Sequence, residues 1–217
     1  MSGPHPLARF SAATVSDALD RLGFPGSMLG IAPLHNGARL CGRAFTVRYL
    51  TAGSPPGTVG DYLDEVAPGE VVVLDNGGRT DCTVWGDILT AMAADRGVAG
   101  TVIDGVCRDV QRAIGVGYPI YSRGRFMRTG KDRVEVSDVG RPVSVGGVQV
   151  RAGDLLLGDA DGVLAVPRAK EEQVLEISTA IAEREDAIIA DVLSGTTLAE
   201  ARVRHGYHLL QRREVQP

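Results

Sequence analysis

Two short apolar runs, one helix apart, constrain this chain more than any other feature in it. Glu70–Leu74 reads E-V-V-V-L and Thr101–Ile103 reads T-V-I. Short runs of β-branched residues with no polar alternation belong to strands buried on both faces of a sheet. Between them, Asp87 opens a stretch of helical character. The result is a strand–helix–strand crossover, which favours parallel pairing. Asp75-Asn76-Gly77-Gly78 reads as the turn that ends the first run, and Gly105 as the break after the second. Arg108 and Asp109 follow directly. A guanidinium beside a carboxylate, just past a buried strand, is an arrangement that chemistry uses and packing rarely needs.

The remaining elements fall around this unit. Ser11–Leu22 has a capping serine, a face of Val15, Leu19 and Leu22, and Gly23 to close it, so a first helix is expected. Arg39–Leu50 alternates as a strand, Asp61–Val66 forms a short helix, and Pro119–Ser122 adds a third short strand. From Arg133 the chain turns β-rich. Val143–Val145 and Val148–Val150 form a hairpin around Gly146-Gly147, and Leu155–Leu157 and Val163–Val166 follow. Pro167 introduces a long helix over about residues 168–193, with Val174, Ile177, Ile181, Ile188 and Val192 on one face. Thr197-Leu-Ala-Glu200 has capping-box form and starts a last short helix. The expectation is an α/β chain forming one domain over 1–217, with residues from about 168 to 217 as a C-terminal helical segment.

Composition removes several function classes. The net charge of −4 gives no basic footprint for nucleic acid. No apolar run approaches the roughly 20 residues of a membrane span. Met1–Phe10 has no apolar signal core, and three cysteines without zinc or redox spacing point to a reducing cytoplasm. Phosphate-loop and dinucleotide fingerprints are absent.

Asp87 and Arg108 are separated by twenty residues, and Asp109 follows. Asp87 lies at a helix start and Asp109 beyond a strand's C-terminal end, the rim where ligands collect in open α/β sheets. The two carboxylates are hard oxygen donors suited to Mg²⁺ or Mn²⁺. Arg108 offers a planar fork for a substrate carboxylate. Backbone N–H groups from Gly86 to Leu89 suit an anion at the helix start. On spacing alone, Asp87 as a simple cap and Arg108–Asp109 as a surface pair explain the pattern equally well. Asp104 is either a partner that holds Arg108 or an ordinary turn residue. His205 and His208 have the spacing of a metal pair without a third ligand, so an exposed tail is expected there. Cys107 reads as a small buried thiol.

The pattern Asp87-X20-Arg108-Asp109, set in G-D…G-T-V-I-D-G-V-C-R-D, resembles the RraA-like family. Ser16-Asp17-Ala18-Leu19, Gly69–Asp75, Gly147-Val148 through Gly153-Asp154 and Asp159–Pro167 resemble further family segments in the same order. The family includes class II pyruvate aldolases acting on 4-hydroxy-4-methyl-2-oxoglutarate and 4-carboxy-4-hydroxy-2-oxoadipate. It also includes a non-enzymatic regulator that binds an RNA-degrading endonuclease and lacks the first aspartate. Asp87 therefore favours the aldolase branch, with oxaloacetate decarboxylation as a second activity. The resemblance implies an α-β-β-α sandwich of the swivelling β/β/α type, and trimers or hexamers with sites between subunits. It implies that Asp109 binds Mg²⁺ or Mn²⁺, that Asp87 holds or activates a metal-bound water, and that Arg108 contacts the pyruvyl carboxylate or keto oxygen. Amides around Gly86, Ile88 and Leu89 would take the carboxylate. A glutamate from a neighbouring subunit's long helix would complete the site; Glu185 is the best match, with Glu183 and Asp186 as alternatives. Arg125-Phe126-Met127-Arg128-Thr129 departs from the family's serine/threonine-proline segment, and specificity for the substrate tail is expected to differ accordingly.

Overall fold

The structure is a computed structural model that describes residues 4–207. A single-turn 3-10 helix, Pro6–Arg9, precedes helix α1 (Ala12–Arg21), capped by Ser11, whose hydroxyl accepts from the Thr14 N–H. Strand β1 (Ala32–Pro33) and the long β2 (Leu40–Thr51) follow, then a 3-10 turn over Asp61–Glu65. Next come β3 (Glu70–Thr83), α2 (Asp87–Asp95), β4 (Gly100–Cys107), α3 (Val110–Val116) and β5 (Ile120–Arg125). Strand β6 (Val134–Val139) precedes the hairpin β7 (Val143–Val145) and β8 (Val148–Val150), then β9 (Leu155–Asp159) and β10 (Gly162–Val166). Helices α4 (Glu171–Leu193) and α5 (Leu198–Arg204) close the described chain, and Thr197 with Glu200 forms the expected capping box.

The main sheet is mixed, in the order β1-β5-β4-β3-β2-β9-β10, with β6 paired to β2. Strands β2, β3, β4 and β5 are parallel to one another, and the pairings of β1, β6, β9 and β10 are antiparallel. The expected crossover is therefore β3–α2–β4. Alternation along each strand divides the core. Val72, Leu74 and Ile103 pack toward α2 and α3, where Ala93 and Ala113 are buried. Val71, Val73 and Val102 pack toward the hairpin β7–β8, which forms a second β layer. Leu155 and Leu157 meet α1 and α4 through Val15, Leu19, Val174 and Ile181. The fold is thus α/β, with a mixed sheet and a long C-terminal helix, as expected.

Two expected strand ends are not ends. Asp75–Gly78 does not terminate β3; the strand continues to Thr83 through two shifts of register against β4. Gly77 and Gly78 have φ of 59° and 70°, so the chain bulges within the sheet rather than leaving it. Gly105 does not break β4, which is buried at all eight residues through Cys107. Periodicity also left β6 unassigned, since its Val-Glu-Val-Ser-Asp-Val segment covers only half of β2.

The bulge has a structural purpose. Arg48, Asp75 and Asp104 lie at matched register on β2, β3 and β4, and the ion pair to Arg123 on β5 extends the row across four strands. Asp75 sits 3.8 Å from Arg48, and Asp104 pairs with the Arg123 guanidinium. Their remaining oxygens accept from the hairpin: Asp75 from Ser144 N–H at 3.2 Å and Asp104 from Gly146 N–H at 2.9 Å. The hairpin layer is thereby fastened to the sheet by buried charge-assisted bonds. Asp104→Ala leaves Arg123 without its partner and the Gly146 N–H unmet. A loss of about 2–4 kcal/mol is expected, moderated by the partial exposure of Arg123. Urea unfolding of the variant reads this directly; a loss below about 0.5 kcal/mol, the range of ordinary surface substitutions, would contradict the assignment.

Candidate active site

The site is assembled at the C-terminal ends of β3 and β4, where two chain segments cross. After β3, Val84 and Trp85 are buried and Gly86 precedes α2. Trp85 is held on both sides. Its ring lies parallel to Tyr118 with centroids 6.1 Å apart, and its indole N–H donates to Thr90 Oγ1 at 2.9 Å. Thr90 Oγ1 in turn donates to the Gly86 carbonyl at 2.8 Å. After β4, the Arg108 N–H donates to the Trp85 carbonyl at 3.0 Å. That bond brings the two halves of the Asp87-X20-Arg108-Asp109 pattern together.

The side chains follow. Asp109 Oδ2 lies 3.3 Å from Arg108 Nε and accepts from the Asp87 N–H at 3.3 Å. Asp109 itself has φ 55°, a left-handed conformation uncommon for a non-glycine residue, though one that aspartate adopts more readily than most. Gly86 permits the approach: a Cβ there would stand 2.9 Å from Asp109 Oδ2 and 3.2 Å from Arg108 Nε. Asp87 is the first residue of α2 rather than its cap, and its Oδ1 accepts from the Ile88 N–H at 2.9 Å. Arg108 and Asp109 do form an ion pair at the surface, but one whose carboxylate is also tied to the Asp87 N–H and whose backbone is tied to Trp85.

The charges divide between two adjoining clefts. Arg108 lines a cleft of about 550 Å³ together with Gly86, Asp87, Ile88 and Leu89. Its other walls come from residues 57–61, Leu63, Asp64, Thr83–Trp85, Met92 and Thr129–Lys131. Asp109 lines an open groove between α2 and α3, shared with Asp87, Ile88 and Arg112. Asp87 belongs to both. The expected substrate-binding residues thus meet in one place, with the expected metal ligand beside them. The donor set suits a divalent ion: Asp87 and Asp109 are exposed carboxylates, adjacent through the Asp87 N–H. Among the described residues no group of three metal-ligating side chains forms, so further donors would have to be water, substrate or a second subunit.

Glu185 lies elsewhere in the chain. It faces Asp17 of α1 and Asp186, and burial, reinforced by those two carboxylates, pushes its pKa upward. Asp104 does not hold Arg108; it pairs with Arg123 on the hairpin side of the sheet. Burial also raises the Cys107 thiol, against the Ser122 hydroxyl that lowers it, so Cys107 is not poised as a thiolate. His205 Nε2 donates to the Asp191 carboxylate at 2.9 Å, a local tie between α4 and α5, while His208 lies outside the described residues. The contribution of Asp61, Asp64 and Lys131 to the cleft was not visible from periodicity. Thr129 reaches the site by an isolated bridge to Thr83, a contact between residues 46 positions apart for which neither local sequence carries a signal.

Comparison with known proteins gives the same grouping. Residues 12–165 match the family described as RraA-like, Aldolase/RraA. The chain is 37% identical over 93% of its length to Protein DlpA of Legionella pneumophila, of which it spans only 33%. It is 32% identical to a 4-hydroxy-4-methyl-2-oxoglutarate aldolase of Thermus thermophilus, covering 60% of this chain and 77% of that one. A crystal structure of a Pseudomonas syringae pv. tomato protein superposes with TM-score 0.85 at 39% identity, covering 93% of this chain and all of that one. The structure of Streptomyces coelicolor RraAS2, described as an unusual member of the RNase ES inhibitor RraA protein family, superposes with TM-score 0.75 at 30% identity over 86% of this chain and 97% of that one. The chain belongs to the RraA-like family.

Proposed function

We propose that this protein is a divalent-metal-dependent aldolase that cleaves 4-hydroxy-2-oxo acids to pyruvate and a second carbonyl compound, with oxaloacetate decarboxylation as a further activity. The observation that carries this reading is the fixed triplet of Asp87, Arg108 and Asp109, tied together by the Arg108 N–H to Trp85 bond at the mouth of a cleft. Substrates of the expected class are 4-hydroxy-4-methyl-2-oxoglutarate and 4-carboxy-4-hydroxy-2-oxoadipate. The Thermus aldolase supports the reaction class.

Asp109, with Asp87 beside it, would hold Mg²⁺ or Mn²⁺. Such an ion supplies Lewis-acid stabilisation of developing oxygen charge, worth several kcal/mol. Arg108 binds the 2-oxo carboxylate or keto oxygen with its guanidinium fork. The start of α2, at Gly86, Ile88 and Leu89, orients the same carboxylate. Asp87 holds the water that takes the C4 hydroxyl proton. The C3–C4 bond then breaks, its electron pair passes toward the C2 oxygen, and Arg108 faces the enolate so formed. A proton delivered to C3 gives pyruvate. Oxaloacetate loses CO₂ through the same enolate. Lys131 and Lys170 are the chain's two lysines, and the scheme requires no Schiff base from either.

Assembly belongs to this reading. Glu185, whose pKa is pushed upward by burial and by Asp17 and Asp186, is proposed to enter the site of a neighbouring subunit in a trimer or hexamer. Exposed Ile189, Val192, Leu193 and Leu198 on α4 and α5 offer apolar side chains to such packing.

A lactate dehydrogenase-coupled assay with oxaloacetate and Mg²⁺ tests the proposal. Arg108→Ala and Asp109→Ala should each lower pyruvate release by about 100-fold or more, the scale seen when one charge-stabilising donor is removed. Chelation should abolish release, and added Mg²⁺ should restore it; wild-type release persisting in EDTA would contradict the metal requirement. Gly86→Ala should lower kcat by at least about tenfold while retaining a native unfolding midpoint, because its methyl group displaces Arg108 and Asp109 without entering the core. A clean negative with wild type, together with capture of an RNA-degrading endonuclease, would favour the regulator reading.

A further inference from the structure

Beyond the reacting atoms, the cleft at Arg108 has a character that neither the triplet nor the family grouping assigns. Its inner wall is apolar: Val59, Leu63, Leu89 and Met92 line it, with Leu63 fully buried and the others partly so. Its charged residues toward solvent are Asp61, Asp64 and Lys131. Asp64 keeps an ion pair with Arg96 at 3.6 Å, and Asp61 leaves a second carboxylate at the mouth. A substrate carboxylate pushed past the triplet would lose its water against the accessible apolar side chains of Val59, Leu89 and Met92, and would find Lys131 as the cation at a mouth that also carries Asp61. An alkyl group in the same place would shed water from both surfaces.

We propose that this cleft seats an apolar substituent at the C4 end of the substrate, so that the preferred substrates are 4-hydroxy-2-oxo acids with an alkyl or aryl tail rather than a further carboxylate. The inference rests on the aldolase reaction proposed above and narrows its substrates, replacing the extra carboxylate of the two named acids with an apolar tail. The backbone that builds the wall is fixed. Glu135 accepts from the N–H groups of Gly53 and Gly57 at 2.9 and 2.7 Å, and the Tyr49 hydroxyl donates to the Val59 carbonyl at 2.6 Å. The apolar surface is therefore preorganised, and a tail entering it pays little for ordering the protein. The segment Arg125–Thr129, which departs from the family pattern, leads directly into Thr129–Lys131 on the facing wall.

Non-cleavable 2-oxo acids, which lack the 4-hydroxyl, separate the two claims. Isothermal titration of the full chain in Mg²⁺ would compare pyruvate, 2-oxohexanoate, 2-oxoheptanoate, 2-oxooctanoate and 2-oxoadipate. Affinity should rise about three- to fourfold per added methylene. 2-Oxoadipate should bind at least about tenfold more weakly than 2-oxoheptanoate, since its terminal carboxylate must be desolvated. Met92→Gln, which keeps the length of the side chain, should flatten the gradient. Pyruvate binding with a flat series, or with 2-oxoadipate the tightest ligand, would overturn the apolar tail and leave the aldolase reading standing. Absence of binding by pyruvate and by every longer acid would overturn both.

Discussion

The hydrogen bond from the Arg108 N–H to the Trp85 carbonyl is the constraint on which the site depends. It joins the ends of two parallel strands that would otherwise diverge into separate helices. Trp85 can serve as the fixed point because it is itself immobilised: buried, stacked on Tyr118, and bonded through Thr90 back to Gly86. A short chain of packing and hydrogen bonds therefore runs from the core to the charged triplet. Asp109 is held in a left-handed backbone conformation at the far end of that chain. A conformation that costs of order 1–3 kcal/mol persists where the surrounding structure over-determines it, and such positions cluster at functional sites.

The same constraint separates the charges. Arg108 lines the cleft and Asp109 the neighbouring groove, with Asp87 shared between them. Under the proposed function this arrangement keeps the guanidinium for the oxo acid and the carboxylates for a divalent ion and water. It also leaves the groove side incomplete within one chain, which is where a second subunit would contribute. The opposite side of the sheet holds a different set of charges, the Arg48–Asp75–Asp104–Arg123 row, whose carboxylates are occupied by the hairpin. Asp104 and Asp109 are five positions apart, yet one fastens a layer and the other faces solvent.

The crossover, the hairpin, the capped helices and the long C-terminal helix were legible because each has a local signature: an apolar run, Gly146-Gly147, a capping residue, a helical stripe. The strand ends were not. Asp75–Gly78 and Gly105 carry turn chemistry, and the signal is correct about the backbone, which does take positive φ at Gly77 and Gly78. It is wrong about the consequence, because the sheet absorbs the bulge and β3 resumes. The triplet was readable through its likeness to the family pattern, since spacing alone left a simple cap and a surface pair equally open. Its division between two clefts was not, since that depends on which face each side chain takes after a left-handed residue. The walls of the cleft come from residues 57–61, Leu63, Asp64 and Thr129–Lys131, which fold across it from elements far apart in the chain. No local pattern announces such a contact.

Manganese binding by electron paramagnetic resonance tests the central claim most directly, because it reads the triplet without requiring the correct substrate. The account predicts one Mn²⁺ site per chain whose spectrum changes on adding pyruvate. It predicts loss of that site in Asp109→Ala with the fold intact. Wild-type protein that binds no Mn²⁺, or an Asp109→Ala variant that binds it as well as wild type, would contradict the assignment.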